Sequence, residues 1–189
     1  MFQFDTKKYP ADLQALLSTE RICDLGPGRE NKGALPRLKA LSLDAFADGV
    51  SDRQMAQCCI SGLWLLHDYL DRSHTISQDI DSAEGSYWHA IMHRREPDYS
   101  NSKYWFRRVG DHPTFATLAA AVENIPATDA VIAEYRLIEE GNWDAFAFVD
   151  ACQSAARRPD ADKTRVLQKI AQAEWRILFD YCYNQAVNG

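Results

Sequence analysis

Apolar residues in this chain recur three and four positions apart more often than they alternate, and that spacing gathers them on one face of a helix. After Pro10, which suits a first helical turn, Leu13, Leu16 and Leu17 mark a short helix that should end before Gly26-Pro27-Gly28. Ser51-Asp52-Arg53-Gln54 reads as a capping box. It predicts a long helix from residue 52 to about residue 72, with Ile60, Leu63, Trp64 and Leu70 along one stripe. Another helix follows Ser82 and stops before Pro97, because proline disfavours helical geometry in the residue before it.

Shorter helices are expected over 101–109, 113–123 and 129–140, after which Gly141-Asn142 breaks the pattern. Asn142 would cap a helix through Trp143, Phe146 and Val149, and Pro159 would open a last one bearing Val166, Ile170, Trp175 and Phe179. No alternating β-branched runs with hairpin turns appear, and no repeat of fixed period. The expected fold is all-α: a compact single-domain bundle of about seven or eight helices spanning residues 1–189.

Composition alters this picture little. Hydrophobic residues make up 46% and charged residues 25% of the chain, ordinary globular values for one sizeable core. No run approaches the roughly 20 apolar residues of a membrane helix, and the start Met-Phe-Gln-Phe lacks a signal-peptide pattern, so a cytoplasmic protein is expected. The five cysteines show no Cys-x-x-Cys spacing and read as reduced core thiols. A net charge of −6 argues against bulk nucleic-acid binding, which relies on a broadly basic face. The stretch from Gly26 to Gly33 lacks the Gly-Lys-Ser/Thr ending of a phosphate loop and reads as a connector.

The candidate chemistry gathers in one quarter of the chain, which holds all five histidines: His67, His74, His89, His93 and His112. Imidazole binds metals, relays protons near neutral pH and donates to anions. His67 falls on the apolar stripe of the long helix, with Asp71 one turn away as a partner, and His74 either extends that stripe or lies in the following loop. His89 and His93 stand four apart with Glu96 three further on, a spacing that presents two imidazoles and a carboxylate on one ridge beside Trp88, Ile91 and Met92. Ala90 stands where a zinc protease of the His-Glu-x-x-His type has its glutamate. Two outcomes are open for this ridge: half-exposed surface histidines, or ligands of a divalent metal (Zn, Fe or Mn) completed by Glu96, His67 or His74.

Directly after the ridge, Arg94, Arg95, Lys103, Arg107 and Arg108 interleave with Tyr99, Tyr104, Trp105 and Phe106. Guanidinium forks and aromatic planes of this kind suit a small anionic ligand, with Arg94, Arg95, Lys103, Trp105, Arg107 and Arg108 as its contacts. They equally suit a core of aromatics with surface ion pairs. Without metal, His67, His89 or His93 would act as acid or base beside that anion. A different class of function uses Tyr104-Trp105-Phe106 and their arginines as a surface for a protein or RNA partner.

The stretch from His67 to Pro113, including Ser86-Tyr-Trp-His-Ala-Ile-Met-His-Arg-Arg-Glu96 and Lys103-Tyr-Trp-Phe-Arg-Arg108, resembles an uncharacterised group of hypothetical proteins of bacteria and fungi. The likeness covers about a quarter of the chain. It implies no activity and carries over no catalytic or binding residue.

Overall fold

The computed structural model describes residues 2–18, 21–46 and 49–188. Among these, ten α-helices, two three-residue 3-10 helices and one two-residue strand pair are present, and 67% of the described residues are helical. The expected helical class holds, with more helices than the sequence pattern suggested. In chain order they are α1 (Ala11–Leu17), α2 (Leu35–Ala40), α3 (Arg53–Leu66), α4 (Leu70–Ser77), α5 (Ala83–Arg95), α6 (Tyr99–Val109), α7 (Thr114–Glu123), α8 (Asp129–Tyr135), α9 (Ala145–Arg157) and α10 (Ala161–Asn188). The hairpin pairs β1 (Ile138–Glu139) with β2 (Asn142–Trp143) antiparallel between α8 and α9.

Helices α3, α5, α6, α9 and α10 start on a side-chain acceptor, not always the one anticipated. Asp52, not Ser51, caps α3 by accepting from the Gln54 and Met55 amides. Ser82 caps α5 and Asp98 caps α6. Asn142 does not cap α9: it lies in β2, and Asp144 accepts from the Phe146 and Ala147 amides instead. Pro159 likewise yields to Asp160, whose carboxylate accepts from the Lys163 amide.

The long helix expected from residue 52 to 72 is two helices. The α3 helix ends where Asp68 adopts a left-handed backbone (φ 64°), and the Tyr69 amide closes the end on the Trp64 carbonyl. An aspartate tolerates this conformation better than most residues. Here its carboxylate is also held by Arg21, Arg95 and the Arg29 amide. The chain then restarts as α4 at Leu70.

At the centre lies α5. Twelve of its residues, Glu84 to Arg95, are buried, and it packs against α3, α4 and α6. Helix α10 closes the other side of α3 through Trp175, Phe179 and Cys182. Gly62 on α3 lets the Trp88 ring approach, since a Cβ there would lie 2.8 Å from it. A helix buried all round is a core helix, so its polar residues need partners from the elements around it.

Candidate metal centre

The partners divide the polar residues of α5 into distinct clusters. Arg94 sits 2% exposed, forks onto the Glu174 carboxylate of α10, and lies 4.4 Å over the Phe148 ring. Tyr87 donates to the same carboxylate. Arg95 points elsewhere, pairing with Asp68 and donating to the carbonyls of Gly26, Pro27 and Leu65. The glycine-rich stretch is therefore a connector bound by this guanidinium. Gly28 (φ 74°) is required there, because a Cβ would meet Asp68 at 2.6 Å. Glu84 faces His112 across 3.6 Å, and His112 Nδ1 accepts from the Thr114 amide.

The expected row of anion-binding cations is thus not assembled. Arg94 and Arg95 are buried and already matched by carboxylates, and Lys103 pairs with Asp150. Arg107 lies exposed by Tyr104. Arg108 lies 5.3 Å from the centroid of the Trp105 ring, which neighbours His89, with the almost fully exposed Asp81 as its ion-pair partner. Tyr104, Trp105 and Phe106 do not form one surface either. Tyr104 is 48% exposed and Phe106 is 2% exposed, while the Trp105 ring lies tilted 4.1 Å from the His89 ring.

His67 also stands apart. It is fully buried, and Asp71 is not its partner. The Asn31 amide donates to Nδ1, an orientation fixed because Asn31 Oδ1 accepts from the Ala34 amide. Nε2 then carries the proton and donates to the Leu16 carbonyl. Burial, reinforced by Arg21, pushes this imidazole down to about 4. With both nitrogens engaged it pins the end of α1 to the end of α3, and it is not in the histidine cluster.

That cluster is His74, His89 and His93, each offering one nitrogen, with these atoms all within 4.8 Å of one another. The rings of His74 and His93 are each 4.6 Å from that of His89 and 5.3 Å from one another. His89 and His93 come from successive turns of α5, as their spacing required. His74 comes from α4, which restarts after the break at Asp68 and packs against α5.

The tautomers follow from hydrogen-bond accounting. The Ser77 hydroxyl has one proton and lies against two carbonyls that only accept, those of Ser73 and His74. With that proton on a carbonyl, the contact with His89 Nδ1 at 3.1 Å is a bond that Nδ1–H donates, which leaves the Nε2 lone pair free. His93 behaves alike: Nδ1 lies 3.2 Å from the Glu96 carboxylate, an acceptor, and Nε2 accepts from the Asn101 amide at 3.0 Å. Glu96 thus stands behind His93 and outside the nitrogen cluster. A carboxylate or hydroxyl behind a ligating histidine fixes its ring and tautomer.

Charge is disfavoured on these rings. Burial, then the charges of His93 and His74, pushes His89 down to about 3. Burial lowers His93 as well, with Glu96 pulling it the other way. Both present neutral lone pairs near neutral pH, the form a metal ion needs. Ser77 and Asn101 have no sequence signal marking them for this role. Their part emerges only once α4, α5 and α6 are packed. No family model, curated protein or solved structure matches this chain, so the site's meaning rests on its own geometry.

Proposed function

We propose that this protein binds a divalent transition metal ion at His74, His89 and His93, with an open coordination position that takes water or a small anionic or polar ligand. The observation carrying the proposal is the convergence of three imidazole nitrogens, with Ser77 and Glu96 set against the Nδ1 atoms of two of the rings. Three nitrogens without a carboxylate favour zinc over iron or manganese, whose sites usually include one. Tetrahedral coordination at about 2.0–2.1 Å brings the nitrogens to roughly 3.3 Å apart, a contraction that small side-chain rotations supply. An ion held by three histidines with an open position lowers the pKa of bound water and polarises a ligand's oxygen. Ser77 and Glu96 hold the rings in place, and Trp105 covers His89 from the α6 side.

The test is zinc titration of untagged protein followed by elemental analysis and thermal shift. One ion per chain is expected, with His89→Ala and His93→Ala losing affinity by more than the roughly 10–100-fold typical of an outer partner. Absence of stoichiometric zinc and of any thermal shift with Zn, Mn or Fe overturns the proposal.

A further inference from the structure

Building on the metal-binding reading, we propose that Asn101 governs the open coordination position and makes it selective for a ligand with an anionic oxygen. Asn101 sits in the first turn of α6, where its own amide N–H donates to the Asp98 cap at 3.1 Å. Two bonds hold that turn on α5: the Asp98 amide donates to the His93 carbonyl, and the Ser102 hydroxyl donates to the Ala90 carbonyl. The backbone is therefore fixed, and what Asn101 can change is the rotation of its side chain.

That side chain donates from Nδ2 to His93 Nε2 at 3.0 Å, the lone pair that the Glu96 contact at Nδ1 leaves for a metal ion. One lone pair serves one acceptor. Metal binding must turn the amide aside, and with its backbone fixed the amide's two N–H donors stay beside the coordination sphere. Donors placed next to a Lewis acid favour an oxygen carrying negative charge, such as hydroxide, carboxylate or phosphate, over a neutral nitrogen ligand. A second feature points the same way. Arg108, lying by the Trp105 ring that covers His89, is matched among the described residues by Asp81 alone, whose side chain is 94% exposed. Its charge is thus not neutralised inside the fold as those of Arg94 and Arg95 are.

The experiment uses the full chain with Co(II) as a visible probe, adding phosphate or imidazole to the cobalt protein. For Asn101→Ala, cobalt binding about fivefold tighter is expected, because no amide competes for His93. Phosphate should bind about tenfold more weakly, with imidazole unchanged. Asn101→Asp should tighten cobalt further and weaken phosphate more. Arg108→Gln should lower phosphate affinity by a smaller, salt-sensitive factor. Equal phosphate affinity in wild type and Asn101→Ala overturns the role of Asn101 while leaving the metal site standing. Absence of cobalt binding by the wild-type chain overturns both. Melting temperatures of the metal-free variants, expected close to wild type, establish that the changes are local.

Discussion

Replacing Ser77 with alanine should weaken zinc binding without touching a ligand. The Ser77 hydroxyl is buried and donates its one proton to a backbone carbonyl of α4, and in that arrangement it accepts from His89 Nδ1. Alanine leaves that buried N–H without an acceptor, which costs about 1–3 kcal/mol if the tautomer is kept. The imidazole escapes this cost by moving its proton to Nε2, which places a proton where the metal's lone pair should be. Either way the metal-competent state becomes less favourable by an amount comparable to other losses of an outer partner, about 10–100-fold in affinity, or roughly 1.4–2.7 kcal/mol. Competition with a chromophoric chelator measures the affinity. Nitrogen–proton correlation NMR of the imidazoles reports which His89 nitrogen is protonated before metal is added. Ser77→Thr keeps a hydroxyl and should retain most of the affinity. If Ser77→Ala binds zinc within twofold of wild type and His89 keeps its Nδ1 proton, the hydrogen-bond accounting is wrong.

Two further outcomes test the structure around the site. Arg94→Met strands the Glu174 carboxylate in the core, where its remaining partner is the Tyr87 hydroxyl, and should destabilise the protein by about 3–5 kcal/mol. For a chain of this size that lowers Tm by about 10 °C, and Arg94→Met with Glu174→Leu should recover most of it; a single-variant Tm within 2 °C of wild type refutes the pairing. In metal-free protein, stability should also fall with acid. His67 is held at about 4 when folded but near 6.5 when unfolded, so below pH 6.5 the unfolded chain takes up a proton the folded one refuses. The contribution is complete above pH 6.5 and is lost down to about pH 4, to a total of roughly 3 kcal/mol, with His89 adding loss of the same sign. Denaturant unfolding at pH 7, 5.5 and 4 follows this loss, and a His67→Gln variant whose slope over that range equals the wild type's would refute the His67 share.

The parts of the site legible in the sequence are those set by a helix repeat alone. His89 and His93 four apart must share a face of any helix that contains them, and Ser82 and Pro97 bound that helix on both sides. His74 was harder to place. Whether it joins them depends on a left-handed turn at Asp68, a conformation sequence usually signals with glycine or asparagine. The arginines misled for a related reason. A basic run reads as a binding wall only while its partners are unknown, and those of Arg94 and Arg95 lie 80 and 27 positions away.

The surroundings of α5 explain why the histidine side is the exceptional one. The charged residues of the buried helix meet groups of complementary character: Arg94 meets Glu174, Arg95 meets Asp68, and Glu84 faces His112. Toward α4 it presents imidazole lone pairs to another imidazole, and among the described residues the donor to these lone pairs is the amide of Asn101. Lone pairs gathered in a buried place call for an electron-pair acceptor. A proton is a poor one here, because burial and the adjacent imidazoles hold His89 down at about 3. A metal cation meets three nitrogens at once and leaves the Nδ1 protons on Ser77 and Glu96 undisturbed. It therefore balances this side of the helix as the carboxylates balance the others.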